Sequence, residues 1–182
     1  MSRIARECAV SVKTVQQYYE ILEETFLALR VPGWNRSGRR RLVAHPRFYL
    51  FDPGVTNALC HTLGENLDPV TRGRRFEQFV AQRISAEIHY AKLDAGIAYW
   101  RTNHGAEVDF LLHRGSRILG AIEVRSGRHA ARDPLTGLRN FAEEHPQVPR
   151  FLLLPEARPR LLDEGVRVLS WNDFLRDVLP GL

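Results

Sequence analysis

The sequence predicts an α/β fold, a mixed sheet covered by helices on both faces, preceded by a smaller helical segment. Three observations carry this. Apolar residues recur at every second position between Glu107 and Val124, the period of strands with a packed face. Helical periodicity precedes and follows that stretch, and Arg150 to Leu154 is a short continuous apolar run of the kind that forms a buried strand. Helix, hairpin, helix, strand is an α/β order.

In chain order, Ser2 to Cys8 reads as a short helix and Ala9-Val10-Ser11 as a turn, with Ser11 as N-cap of a longer helix. Val12, Val15, Tyr19 and Leu22 mark one face of that helix, and Lys13, Gln16, Gln17, Glu20 and Glu24 take the others. The pair reads as helix-turn-helix. In that motif Lys13, Thr14, Gln16 and Gln17 are residue types that contact phosphates or base edges, whereas Glu20, Glu23 and Glu24 oppose deep insertion into a groove. The alternative is a winged-helix-like packing module that meets no nucleic acid. Phe26 to Val31 reads as a strand and residues 32–38 as a loop rich in turn formers. Arg39, Arg40 and Arg41 open the return strand, either as a basic tip reaching a phosphate backbone or as a solvated charge run. A strand over Arg47 to Phe51 and a helix over Val55 to Leu63 lead to a boundary near Pro69, dividing residues 1–69 from residues 70–182.

The longest helix spans Thr71 to Leu93, with Phe76, Phe79, Val80, Ile84 and Ile88 facing a core. Glu77 sits beside that stripe, a position that usually means a salt bridge to a neighbour such as Arg74. In the hairpin, Val108, Phe110, Leu112, Ile118, Ile122 and Val124 form the packed face. A three-residue loop over Arg114, Gly115 and Ser116 sets Asp109 opposite Ala121, with Glu123 one same-face step away. Asp109, Glu123 and Arg125 then share the odd-numbered face. Two carboxylates at that separation suit a hard divalent ion such as Mg2+, and a cation beside them suits a phosphate. Equally, charged residues line the solvent face of many hairpins. After the hairpin, Asp133 to Glu144 reads as a helix, Val166 to Leu169 as a strand, and Trp171 to Leu179 as a closing helix started by Ser170 or Asn172.

Residues GAEVDFLL at 105–112 followed by AIEVRS at 121–126 resemble the PD-(D/E)XK nuclease-like core in the C-terminal half of a family of prokaryotic AAA-type ATPases, a half of unknown function. RRFEQFV at Arg74 to Val80 is similar to the family's helix, and HPRFYLFDPGVTNAL at His45 to Leu59 resembles its linking segment. The resemblance covers nearly the whole chain. It implies a restriction-endonuclease-like mixed sheet behind a partial winged-helix-like segment, with Glu77, Asp109, Glu123 and Arg125 as the catalytic set, Asp109 and Glu123 as the Mg2+ ligands, and DNA as substrate. Arg125 stands where the nuclease pattern ends in lysine; it is larger and keeps its proton. The family's ATPase half has no counterpart here. A second expectation is therefore a non-catalytic regulatory or interaction module for an ATPase domain or subunit. The helix pair then lacks its usual cover over Ile4, Val10 and Val15, which suits a homodimer.

The 182 residues carry a formal charge of +5, and Lys13 and Lys92 are the sole lysines, so the basic character is almost all arginine. That permits phosphate binding, and arginine preference also follows from a GC-rich genome. No apolar run is long enough for a bilayer and MSRIAREC lacks the apolar segment of a secretory signal, so a cytoplasmic protein with no membrane partner is expected. Cys8 and Cys60 give no disulfide framework and are expected as buried thiols. There is no Gly-x(4)-Gly-Lys-Ser/Thr loop, hence no ATPase activity is expected of this chain alone, and no Gly-x-Ser-x-Gly elbow. His89, His104, His113 and His129 have no ligand-like pairing.

Overall fold

A computed structural model describes residues 1–34, 45–127 and 135–182. Arg39, Arg40, Arg41, His129 and the expected helix start at Asp133 lie outside the described residues. The fold is mixed α/β: a six-stranded mixed sheet flanked by helices, with a separate two-stranded sheet before it.

The N-terminal segment begins with α1 (Ser2–Glu7) and α2 (Val12–Glu24). Ser11 caps α2, its Oγ accepting the Thr14 amide at 3.0 Å. Val15 is buried, so the unpartnered face expected over Ile4, Val10 and Val15 is smaller than that trio; Val10, Val12, Tyr18 and Ile21 are the exposed apolar residues. Phe26 adopts a positive φ of 59° and is solvent-exposed, so β1 starts late, at Ala28–Val31, and pairs antiparallel with β2 (Arg47–Leu50). Asp52 caps α3, which spans Pro53–Leu59 rather than continuing to Leu63; the left-handed His61 ends it. Cys8 and Cys60 are both exposed, against the expected burial: each lies at the end of a short helix that buries little.

The 22-residue α4 (Pro69–Tyr90) starts with Asp68 accepting the Val70 and Thr71 amides. It ends before the left-handed Lys92. The sheet runs in the order β3-β4-β5-β6-β8-β7. Its strands are β3 (Gly96–Arg101), β4 (Glu107–Arg114), β5 (Arg117–Val124), β6 (Arg150–Leu154), β7 (Arg160–Leu161) and β8 (Val166–Ser170). Pairing is antiparallel from β3 to β5, parallel through β5, β6 and β8, and antiparallel again at β7. The crossover from β5 to β6 carries α5 (Thr136–Glu144). After Ser170 the chain makes α6 (Trp171–Asp173), one π turn (Phe174–Val178) and a 3-10 turn (Leu179–Gly181) in place of a continuous helix.

Two apolar layers sandwich the sheet. Val80, Ala81 and Ile84 of α4 meet Phe110, Leu112, Ile122, Phe151 and Leu153, joined by Phe174 and Val178. Leu138 and Phe141 of α5 meet Leu111, Ala121, Leu152 and Val168, and Trp100 packs edge-on to Phe141 at 5.5 Å. Val31 of the N-terminal segment is fully buried in the α4 layer. Backbone bonds Tyr99 N–H to Pro32 O (2.9 Å) and Trp34 N–H to Tyr99 O (2.6 Å) lay residues 32–34 along the edge of β3. The N-terminal segment is thereby fastened to the larger sheet.

The hairpin register differs from expectation. Arg114 pairs with Arg117 across a two-residue turn, not a three-residue loop, and Leu112 pairs with Gly120 while His113 pairs with Ile118. Leu119 is the extra residue of a bulge. It moves into the α4 layer and Ile118 turns to the α5 layer, so the even-numbered face is not uniform; Val108 too packs with α5. Among the described residues no helix is long and apolar enough to cross a membrane.

Candidate active site

Beyond the bulge, Phe110 pairs with Ile122 and Leu111 with Ala121, and one further step of that register sets Asp109 against Glu123. The two carboxylates are closer neighbours than a partner at Ala121 implied. Both are almost completely buried. Asp109 is 7% exposed and Glu123 4%, because α5 lies over their end of the strands.

Each carboxylate is held by an identifiable group. Asp109 Oδ2 accepts the Val124 amide at 2.9 Å and lies 3.5 Å from Arg125 Nη1. Arg125 also pairs with Glu123 Oε1 and donates to the Val124 carbonyl at 2.8 Å. Its guanidinium thus bridges both carboxylates and a main-chain oxygen. Glu123 Oε2 is buried without a hydrogen-bond partner, and it faces Gly137 in the first turn of α5.

Glu77 comes from α4, and its partner is not Arg74. Arg47 of β2 donates to Glu77 Oε1 at 3.0 Å and the Tyr49 hydroxyl donates to the same oxygen at 2.5 Å. Arg47 also pairs with Glu107 and lies 3.9 Å from Asp109 Oδ1, with its guanidinium over the Tyr99 ring at 4.6 Å. One arginine therefore ties three carboxylates from α4 and β4 together. Arg47, Tyr49 and Glu107 were absent from the expected set. For Glu107 the signal is its place two residues before Asp109, which puts both on one side of a strand.

Burial sets the electrostatics. Removal from water pushes Glu123 up from the usual carboxylate range, with the neighbouring Asp109 charge adding to it and Arg125 opposing. Asp109 is raised by burial and then by Glu77, with the Val124 amide and both arginines pulling back. Tyr49 is raised by burial and by Glu77, so it stays a donor. A carboxyl whose folded-state pKa lies above its unfolded value binds an extra proton in the folded state. Its contribution is favourable below the unfolded pKa and is lost as pH rises towards the folded one. Glu123→Gln keeps the shape of the protonated acid and removes that loss. It is expected to match the wild type near pH 4 and to be more stable by about 1–3 kcal/mol at pH 7, measured by urea unfolding across that range. A variant less stable at pH 7 would show that the Arg125 ion pair outweighs burial.

A cleft of ≈ 590 Å³ opens over Asp109, Glu123 and Arg125, bounded by Arg101, Glu107, Thr136 and Gly137. A second, of ≈ 480 Å³, is lined by Arg47, Tyr49, Arg74, Arg75, Glu77 and Glu107. Lys13, Thr14, Gln16 and Gln17 are on α2, which packs against α1 and β1 and, through Tyr19, on Phe48 of β2 at 4.3 Å, and none of the four lines either cleft. Lys13, Gln16 and Gln17 are exposed there, and the Thr14 hydroxyl is bonded to Ser11 at 2.8 Å. Among the described residues no group of three or more His, Cys, Asp or Glu side chains is placed to hold a metal ion.

A family model described as a domain of unknown function (DUF4143) matches residues 72–174, more than half of the chain. The chain belongs to the DUF4143 family. Its DUF4143 stretch contains Glu77, Glu107, Asp109, Glu123 and Arg125. A second model, also a domain of unknown function (DUF8612), matches residues 1–67, which include Arg47 and Tyr49. The carboxylates thus all come from the first matched stretch, and Arg47 and Tyr49, which bind Glu77, come from the second. No curated protein matches the chain, and no solved structure does.

Proposed function

We propose that this chain is a nucleic-acid-associated module on a PD-(D/E)XK-like sheet, whose acidic centre is filled by arginine and does not cut phosphodiesters. The observation that carries this reading is the position of Arg125. Its guanidinium engages Asp109 Oδ2, Glu123 Oε1 and the Val124 carbonyl oxygen, the hard oxygens that a magnesium ion would have to take. A guanidinium does not give up its proton to make room, as a lysine amine can. Arg47 occupies Asp109 Oδ1 and Glu77 in the same way. The donor atoms are of the right chemistry for Mg2+, but with both arginines in place they do not fit the ion.

Nucleic acid remains the partner best suited to the surface. Arg74, Arg75, Arg101 and Arg125 line the two clefts, and the arginine fork matches phosphate oxygens. Such a module serves beside an ATPase domain or subunit by holding DNA rather than by cutting it. One observation favours the hydrolytic alternative: the buried, unpartnered Glu123 Oε2, which a metal ion would satisfy.

Calorimetry with Mn2+ separates the two. The wild-type chain is expected to give no binding heat at millimolar metal. Binding that disappears in both Asp109→Asn and Glu123→Gln would overturn the arginine-filled reading and establish a metal-dependent nuclease centre.

A further inference from the structure

The two clefts share a wall. Glu107 lines both, and its ion pair with Arg47 stands where they meet. On one side lie Arg74, exposed and without a polar partner among the described residues, and Arg75, whose Nε is bonded to Asn57 at 2.6 Å. On the other lie Arg101, whose Nε is 3.6 Å from Glu107 Oε2, Arg125, which is bound to Asp109 and Glu123, and the first turn of α5. Arginines therefore flank an acidic partition, and the partition is held shut by an arginine from β2.

We infer that the Arg47–Glu107 pair is a latch that divides one continuous groove, and that the phosphate backbone of a nucleic-acid strand occupies the whole groove when the latch opens. The occupant follows from the chemistry. With the pair closed, Glu77, Glu107 and Asp109 consume the charge of Arg47, and a phosphate entering from the Arg74 side meets a carboxylate wall. With the pair open, Arg47 swings towards the strand and supplies a phosphate contact between those of Arg74 and Arg125. Glu107 is the member that can be released most cheaply, its side chain being 33% exposed against 10% for Asp109. The inference rests on the nucleic-acid reading above and adds its control: the strand-binding groove is regulated by β2, which lies in the other matched stretch.

The test is Glu107→Gln, which loosens Arg47 while leaving it Glu77 and Asp109, and which also releases Arg101 from Glu107, so that the loss of Arg47 on top of it separates the two arginines. A fluorescein-labelled oligothymidylate is titrated with the full chain over a range of salt concentrations. Glu65→Gln, an equal charge change at an exposed site, is the control. Glu107→Gln is expected to bind about tenfold tighter than this control, and its log–log salt slope to steepen by about 0.7, one added phosphate contact on a single strand. Adding Arg47→Met to Glu107→Gln, a charge-balanced pair of changes, is expected to return both values to those of the wild type. A Glu107→Gln chain that binds like Glu65→Gln, or a gain that survives the loss of Arg47, overturns the latch and leaves the nucleic-acid reading standing. No oligonucleotide binding by the wild type or any variant overturns that reading and the latch with it.

Discussion

Gly137→Ala is expected to destabilise the protein by about 3 kcal/mol or more and to lift α5 from the sheet. At an ordinary helix position the same change stabilises, by roughly 0.5–1 kcal/mol, because alanine restricts the unfolded chain. The sign reverses here because α5 rests its first turn directly on the β4 backbone. A Cβ on Gly137 would overlap the Glu107 carbonyl oxygen and come within 2.9 Å of its carbonyl carbon. Glu107 is main chain paired with Arg101 at the start of an interior strand and yields little, so the helix must move. Lifting it strips cover from Leu138, Phe141 and the Trp100 edge contact, and opens Asp109 and Glu123 to water. Urea unfolding gives the stability, and near-ultraviolet circular dichroism of Trp100 reports the helix. A Gly137→Ala chain as stable as the wild type would mean that α5 does not sit where its first turn meets Glu107.

Arg47→Met is expected to cost about 3 kcal/mol, roughly 6–12 °C in Tm for a chain of this size. Methionine keeps an apolar stem against Tyr99 but leaves Glu77, Glu107 and Asp109 facing one another without their shared cation. Removing one partner of a buried pair is costly chiefly because of the charge left behind. Arg47→Met/Glu77→Gln, which removes charge from both sides, is therefore expected to recover about half of the loss, a coupling that a double-mutant cycle reads directly. Arg47→Met within about 0.5 kcal/mol of wild type would place these pairs with ordinary surface ion pairs.

Much of the sheet was legible in the sequence. The run RFLLL is β6, buried on both sides as a parallel strand must be, and the helix containing Phe76, Val80, Ile84 and Ile88 packs as its periodicity implied. Strand β3 escaped notice although the turn Thr102 to Gly105, with Gly105 at a φ of 88°, sets it apart from β4, because Gly96 to Arg101 lacks a regular alternation of apolar and polar residues, and β7 has only two exposed residues. The hairpin turn was misread by one residue because the compensating bulge at Leu119 leaves no mark in composition.

The site itself was half legible. Asp109, Glu123 and Arg125 meet because they lie on paired strands, a relation that spacing reveals. Their burial was signalled by Leu111 and Ala121, apolar residues on the odd positions that a solvent face would not carry. Arg47 reaches Glu77 across 30 positions and Glu107 from another sheet, so no local pattern announces it.

The covering of the acidic pair by α5 has a consequence for how the molecule opens. Asp109 and Glu123 are brought together by a local hairpin, whereas their dehydration is imposed by a crossover helix of nine residues. The free-energy penalty of dry carboxylates is therefore borne at the α5 contact rather than by the strands. Detachment of α5 alone would rehydrate the pair and leave the β4–β5 ladder paired, so the cost of drying the carboxylates lowers the cost of opening that one helix.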